Sequence, residues 1–161
     1  IEKFIPPKKG RKHILYVIRE LLEFKPQSQR TNIQQALEYL TQALKRRCTV
    51  FLLSDFIDNG DFRTALTVAN HRHDVMAVQI YDKRLEELPD VGMLRIRDAE
   101  TGEEQIIDTS SKALRNWHAH QWTVNSNKLA DTLQRSGVDS VRVRTDQDYV
   151  VVLKNLFAKR S

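Results

Sequence analysis

Hydrophobic residues recur at two different periods along this chain, and the two periods predict the order of its elements. Spacings of three and four residues, with capping residues at the ends, are typical of amphipathic helices. We predict helices over residues 11–24, 31–46, 61–70, 111–135 and 149–157. Short apolar or alternating runs predict strands over residues 1–5, 49–53, 74–81, 93–97, 105–107 and 140–144.

The strands at 49–53 and 74–81 decide the predicted fold class. Both are almost continuously apolar, as strands covered on both faces are, and they alternate with helices along the chain. We therefore predict an α/β fold, a doubly wound and mainly parallel sheet with helices on both faces. A glycine in the segment 100–103 predicts a β-hairpin insertion. A pair of prolines ends the first strand, which we expect at the edge of the sheet.

Length and composition are those of one folded domain. The chain has 161 residues, of which 40% are hydrophobic and 29% charged, and we expect a single domain over residues 1–161. No apolar run approaches the roughly 18 residues of a membrane-spanning helix. The only cysteine, Cys48, cannot form an internal disulfide, and we predict a cytoplasmic protein. Because the first residue is Ile1 and not Met, we expect the natural start to lie upstream.

The charge balance permits an acidic partner without identifying one. Lys and Arg outnumber Asp and Glu by 26 to 21, and a basic stretch, Lys8 to Lys12, lies near Phe4 and Tyr16. Such a stretch could follow nucleic-acid phosphates, but the chain has no glycine-rich phosphate loop and no recognisable nucleic-acid-binding motif. We favour a solvated charged face and keep a basic nucleic-acid-binding domain as the alternative.

Oxygen-bearing side chains stand where a parallel sheet binds its ligands. Ser54 and Asp55 directly follow the strand at 49–53, and ligands bind beyond the carboxyl ends of such strands. The hydroxyl of Thr31, at the start of the preceding helix, could join Asp55 in binding a hard cation such as Mg²⁺. From spacing alone, we favour structural roles over a cation site, with Asp55 closing a turn and Thr31 capping a helix.

Two further groups of residues have metal-binding character. Asp55, Asp58 and Asp61 could form a carboxylate cluster for metal-assisted hydrolysis, but turns use the same residues at this spacing, and we favour turns. Two His-x-His pairs, at 71–73 and 118–120, carry imidazoles that zinc binds. Residues two apart on a helix point in different directions, so we expect surface or boundary histidines.

The segment Asp108-Thr109-Ser110-Ser111 begins like a metal-binding Asp-x-Ser-x-Ser motif. Its fifth position is Lys112, which has no suitable oxygen. We therefore interpret the segment as a helix cap.

Several short segments, taken in their order along the chain, resemble one bacterial family. It is a family of unknown function with a von Willebrand factor A-like domain, usually encoded beside MoxR-type AAA+ ATPases. The resemblance covers essentially the whole chain. The segments that carry it are 4–7 (FIPP), 10–13 (GRKH), 30–33 (RTNI), 53–56 (LSDF), 73–75 (HDV), 81–82 (YD), 87–90 (ELPD), 101–103 (TGE) and 108–110 (DTS).

The resemblance implies a metal-ion-dependent adhesion site, built by three loops at the carboxyl edge of a doubly wound sheet. Thr31 matches the threonine of the second loop and Asp55 the aspartate of the third. The first loop, Asp-x-Ser-x-Ser, has no counterpart in this sequence, so the domain resembles a von Willebrand factor A-like domain that is incomplete at its N-terminus. The implied cofactor is a divalent cation, Mg²⁺, bound in the complete parent domain.

The function that the resemblance implies is cation-dependent protein binding, in which no bond is made or broken. The expected role is that of a non-enzymatic accessory or adaptor of a MoxR-type ATPase. A basic nucleic-acid-binding domain and a metal-dependent hydrolase using Asp55 remain the alternatives.

A homodimer is a further expectation. In the family's sheet, the missing first strand lies beside the strand that ends at Asp55, so its absence would expose an apolar edge. We expect a second copy or the segment 1–5 to cover this edge, and we favour the symmetric dimer.

Overall fold

Most of the helices and strands form in the order that the hydrophobic pattern predicts, except that residues 1–5 form no strand and one short helix, Lys83–Glu86, was not predicted. A computed structural model describes residues 1–27, 31–58, 60–98 and 101–158. The helices in this part of the chain are α1 (Arg11–Glu23), α2 (Ile33–Ala43), α3 (Arg63–Arg72), α4 (Lys83–Glu86), α5 (Lys112–Arg135) and α6 (Tyr149–Ala158). The strands are β1 (Thr49–Ser54), β2 (Asp74–Tyr81), β3 (Met93–Arg97), β4 (Glu104–Asp108) and β5 (Asp139–Arg144).

Three parallel strands form the main sheet, in the order β1-β2-β5. Its central strand, β2, pairs Val75 with Val50 of β1 and Val78 with Val141 of β5. The predicted parallel pairing of the two most apolar segments is therefore confirmed. The expectation that both strands are covered on both faces is wrong for β1, which is an edge strand among the described residues and has no buried residue. β3 and β4 form a separate antiparallel hairpin, as predicted. Residues 99 and 100, in its predicted loop, lie outside the described residues.

The hydrophobic core lies on one face of the sheet. Val75 and Ala77 of β2 point to this face, where α2, α3 and α5 cover them. The buried helical residues of this core are Ile33, Leu37, Leu66, Ala69 and Leu133.

α6 lies on the opposite face of the sheet. The ring of its Phe157 meets Phe51 of β1 at a centroid distance of 6.0 Å. Successive side chains of a strand point to opposite faces, and Phe51 lies between the core residues Val50 and Leu52. The predicted arrangement of helices on both faces is thus observed.

The predicted edge strand over residues 1–5 is wrong. These residues have no strand partner and pack through their side chains instead. Lys3 pairs with Glu20 of α1, and the Phe4 ring meets Tyr39 of α2 edge-on at 5.8 Å. An alternating pattern is not sufficient for a strand, which also needs a neighbouring backbone to satisfy its hydrogen-bonding groups.

α1 forms where it is predicted, but none of its residues is buried. Leu21 and Leu22 are 77% and 82% exposed. Within the described ranges, no helix is both long enough and apolar enough to cross a membrane.

Candidate functional site

The loop that follows β1 lies at the carboxyl edge of the sheet. Its first turn is closed by short side chains, since Ser54 Oγ accepts a hydrogen bond from Phe56 N–H at 3.0 Å and Asp55 Oδ1 accepts one from Ile57 N–H at 3.1 Å. Gln79, next to Ser54 in the register, donates from Nε2 to the Asp55 carbonyl at 3.3 Å. These bonds fix the backbone that carries Asp55.

Phe56 holds this loop in an unusual backbone conformation. Its φ of 58° is in the left-handed region, which costs a non-glycine residue about 1–2 kcal/mol. The side chain is buried and its ring meets Phe62 at 6.2 Å. Burial of a phenylalanine contributes about 1.5–3 kcal/mol and offsets the strain.

Asp58 joins this loop to the start of α2. Its Oδ2 accepts a hydrogen bond from Ile33 N–H at 2.8 Å, and its Oδ1 accepts one from Gly60 N–H at 2.7 Å. Asn32, and not Thr31 as the spacing suggested, is the cap of α2, and its side chain accepts a hydrogen bond from Gln35 N–H at 2.8 Å. The segment that contains Thr31 and the segment that contains Asp55 therefore meet at the same edge of the sheet.

The remaining carboxylate of the predicted cluster has a local role. Asp61 Oδ1 accepts a hydrogen bond from Arg63 N–H at 3.0 Å, at the start of α3. With Asp58 bound to Ile33, the three aspartates of this loop each hold backbone N–H groups. The turn interpretation therefore accounts for the spacing of Asp55, Asp58 and Asp61.

The residues at this edge carry oxygen ligands of the type that a hard cation binds, but they are too few to fill its coordination sphere. Asp55 is exposed, Thr31 is half-buried, and the amide oxygen of Gln79 is buried with no hydrogen-bond partner among the described residues. Carboxylate, hydroxyl and amide oxygens are suitable ligands for Mg²⁺, which takes six. No group of three His, Cys, Asp or Glu side chains in the described ranges is arranged to hold a metal ion.

The histidines of the two His-x-His pairs lie in different surroundings. His73 is only 1% exposed, and its Nδ1 lies 3.4 Å from Cys48 Sγ, whereas His71 is exposed. The prediction of a surface or boundary histidine is therefore wrong for His73, which packs between the end of α3 and the start of β2. His118 Nε2 lies 3.2 Å from the carbonyl oxygen of Arg84.

The segment that resembles a metal motif is a helix start, as predicted. Ser111 caps α5 by accepting a hydrogen bond from Leu114 N–H at 3.4 Å. Asp108 accepts bonds from the Oγ–H and N–H of Ser110, and these bonds, the hydroxyl bond first, hold the pKa of Asp108 below its ordinary value.

A basic groove lies between the N-terminal segment and α1. It has a volume of about 520 Å³ and is lined by Lys8, Lys9 and Lys12 together with His13 and Tyr16. The groove contains part of the basic stretch for which the sequence left nucleic-acid binding open.

Sequence reasoning missed two of the residues that shape the carboxyl edge, Asp58 as the partner of Ile33 and Gln79 as the partner of the Asp55 carbonyl. The turn signal at 58–60 indicated that Asp58 was a loop residue. Nothing in the sequence indicated its bond to a helix 25 residues away.

The fold and this edge define a class: a mixed α/β domain with a mainly parallel sheet, a separate hairpin and a polar loop at the carboxyl ends of its strands. The chain belongs to the family described as "Protein of unknown function DUF58", whose model matches residues 1–128.

Similar proteins occur in mycobacteria. An uncharacterised protein of Mycobacterium tuberculosis, Rv1480, is 29% identical over 160 residues, which are 97% of this chain and 50% of that protein. An uncharacterised protein of Mycobacterium avium, MAV169, is 31% identical over 127 residues, 78% of this chain and 73% of that protein. The chain thus spans about half the length of Rv1480.

One solved structure also matches. It is the crystal structure of an uncharacterised membrane-spanning protein from Vibrio fischeri, with a TM-score of 0.30 and 17% identity. The match covers 91% of this chain and 66% of that one.

Proposed function

We propose that this domain is a non-enzymatic, cation-dependent protein-binding module of the von Willebrand factor A-like type, an accessory or adaptor of a MoxR-type ATPase. The observation that carries the proposal is the bond from Ile33 N–H to Asp58, which holds the segments of Thr31 and Asp55 at one edge of the sheet. Parallel sheets bind ligands at this edge.

The roles of the residues follow from their positions. Asp55 presents an exposed carboxylate on a backbone that Ser54 and Gln79 fix, and Asp58 holds the Thr31 segment beside it. A divalent cation, when bound, supplies a coordination position that a carboxylate of the partner completes. Thr31 and Asp55 would hold the cation together with oxygens that lie outside this chain.

A paramagnetic ion tests the proposed site directly. We expect Mn²⁺ added to the isotope-labelled chain to broaden amide signals around Thr31 and Asp55 before all others, because weak binding is sufficient for this effect. Asp55→Asn should abolish the selective broadening, whereas Asp61→Asn, a matched change in the same loop, should preserve it. Broadening that is uniform, or that survives Asp55→Asn, would contradict the proposed site.

The proposed partner needs a second experiment. Calorimetric titration of a MoxR-type ATPase into the chain should give heat of binding with Mg²⁺ and none with EDTA. Binding that is equal in EDTA would show an interaction of another kind.

The basic groove supports a second candidate function, nucleic-acid binding. Its three lysines and its tyrosine combine phosphate-binding charge with an aromatic ring. This candidate predicts that a fluorescent single-stranded oligonucleotide binds with an affinity that falls steeply with salt and does not depend on Mg²⁺. Comparison of the two titrations, each with and without EDTA at two salt concentrations, separates the candidates.

A further inference from the structure

The hairpin formed by β3 and β4 is a sheet of its own in the described part of the chain. Asp98 N–H donates to the Glu103 carbonyl and Thr109 N–H to the Gly92 carbonyl, both at 2.8 Å, so 98–103 and 92–109 are hydrogen-bonded residue pairs. Bonded and non-bonded pairs alternate in antiparallel strands. The backbone groups of Met93, Arg95 and Arg97 therefore point outward, away from β4, along a free edge.

The base of the hairpin is fixed to α5. Thr109 is fully buried, and its Oγ1 donates to the Gly92 carbonyl at 2.7 Å and accepts from Val91 N–H at 3.1 Å. Arg115 of α5 pairs with Asp90 at 3.0 Å and donates to the Thr109 carbonyl at 2.5 Å. The hairpin thus presents its free edge in a defined direction.

One face of the hairpin exposes apolar side chains beside this edge. Met93 and Ile106 are 70% and 59% exposed, and the register places Arg95 and Arg97 on the same face. A two-stranded hairpin is only marginally stable in water, and a third strand would cover these side chains.

Charge indicates what kind of strand fits. The β3 edge carries two arginines, and the acidic residues within the strands, Glu104 and Asp108, lie on β4. Arg95 forms an exposed ion pair with Glu104 at 3.7 Å, and Glu104 is also the register partner of Arg97. A second copy pairing symmetrically through β3 would place arginines next to arginines, and like charges on neighbouring strands are destabilising. Because an exposed ion pair contributes only about 0–1 kcal/mol, acidic side chains on a strand added beyond β3 would compete for both arginines.

We propose that the outer edge of β3 binds an extended segment of a partner protein in which acidic and apolar residues alternate, by strand addition. The backbone groups of Met93, Arg95 and Arg97 supply the hydrogen bonds, and the arginines select acidic side chains. This surface is separate from the Asp55 loop and needs no cation.

Synthetic peptides in EDTA test this proposal, so that the proposed cation site does not contribute. The probe is a fluorescent peptide of about eight residues in which Val and Glu alternate, and its control alternates Val and Lys. By fluorescence anisotropy, we expect the acidic peptide to bind at least about tenfold more tightly than the basic one. Asp55→Asn should leave this binding unchanged.

Two variants separate the roles of backbone and charge. Arg95→Pro removes an outward N–H and the exposed ion pair with Glu104, but it leaves the backbone hydrogen bonds inside the hairpin in place. It should weaken acidic-peptide binding by about tenfold or more, and by more than Arg95→Gln does. The double change of Arg95→Gln and Arg97→Gln keeps the backbone donors and should remove the preference for acidic peptides. Arg63→Gln, on α3, is the control for loss of positive charge. Amide chemical shifts of β4 establish that the hairpin remains folded.

Four results would overturn the proposal. The first two are equal binding of the acidic and basic peptides, and binding of the acidic peptide that Arg95→Pro does not weaken. The third is tighter binding of a single-stranded oligonucleotide than of an acidic peptide of equal charge. The fourth is a dimer of the chain that Arg95→Pro abolishes and the other variants do not. The last result would assign the edge to a second copy. Each of them leaves the Mn²⁺ experiment at Asp55 unaffected, so the two proposals can fail separately.

Discussion

At the scale of single residues, short polar side chains mostly satisfy backbone groups at the ends of elements. Ser54 and Asp55 close the turn after β1, and Ser111 caps α5. Asp58 differs because it acts over a long sequence distance, on Ile33 N–H at the start of α2. This one carboxylate is therefore both a turn residue and a tertiary contact.

Asp58→Ala should destabilise the domain, because it leaves Ile33 N–H and Gly60 N–H without their acceptor. We expect a loss of about 1–2 kcal/mol in the free energy of unfolding, measured by urea denaturation. Asp58→Asn keeps one acceptor oxygen and should lose less. Equal stability of the wild type and Asp58→Ala would show that water replaces the carboxylate at no cost.

Asp108 gives a prediction about pH. Its pKa is lowered in the folded state by bonds from the Ser110 hydroxyl and N–H, so the unfolded chain binds this proton more tightly. The contribution of Asp108 to stability is therefore complete above the unfolded pKa of about 4 and is lost as pH falls through the lower folded pKa. In Ser110→Ala, the NMR titration midpoint of Asp108 should move up towards the ordinary value. Ser140→Ala, on β5, is the control and should leave this midpoint unchanged.

At the scale of elements, each helix end needs a residue that can leave the helical conformation. α5 ends in a Schellman motif, in which Gly137 N–H bonds to the Gln134 carbonyl at 3.0 Å and Val138 N–H to the Leu133 carbonyl at 3.0 Å. Gly137 has a φ of 67°, which glycine adopts without steric cost. The motif directs the chain from α5 into β5.

Gly137→Ala should lower the free energy of unfolding by about 1–2 kcal/mol, because an alanine is strained at this φ. The added methyl group would also lie 3.4 Å from Asn70 Nδ2, an atom that bonds to the Gly137 carbonyl. Asn is the other residue common at this position, so Gly137→Asn should cost less. Thermal denaturation of the two variants checks this order, and a more stable alanine variant would contradict it.

At the scale of the whole molecule, the main sheet has an unprotected edge. β1 pairs with β2 on one side only among the described residues, and it contains no charged residue or proline. Phe51 and Leu53 are 45% and 60% exposed on the face that α6 partly covers. The segment 1–5, which the sequence offered as a covering strand, does not pair with it.

We therefore expect the isolated chain to form a symmetric dimer through β1, since exposed apolar edges recruit further strands. Light scattering at increasing concentration should show the mass rise from monomer to dimer. Leu53→Lys should weaken this association by about tenfold or more, because it places like charges on neighbouring strands. Val68→Lys, at an exposed valine of α3, is the matched control and should leave the dimer intact. A monomeric mass at every concentration would rule out the dimer.

The sequence by itself predicted most of the helices and strands, although it missed α4 and predicted a strand over residues 1–5 that does not form. The three- and four-residue spacing of apolar side chains predicted α1 and α5, and the apolar runs predicted β1 and β2. These patterns can be read from the sequence because they depend only on how neighbouring side chains are arranged along one helix or strand. The place of Asp55 directly after an apolar strand followed from the end of that run. The turn residues around Gly60 and Gly137 were equally local.

Tertiary structure alone decided which backbones meet. Residues 1–5 alternate as a strand does, yet they have no strand partner among the described residues, and the buried His73 contacts Cys48, which lies 25 positions before it in the chain. The bond from Ile33 to Asp58 joins residues 25 positions apart. Such contacts depend on the packing of whole elements, because a hydrogen-bonding group is satisfied by whichever partner the fold brings to it and not by its own neighbours in the chain.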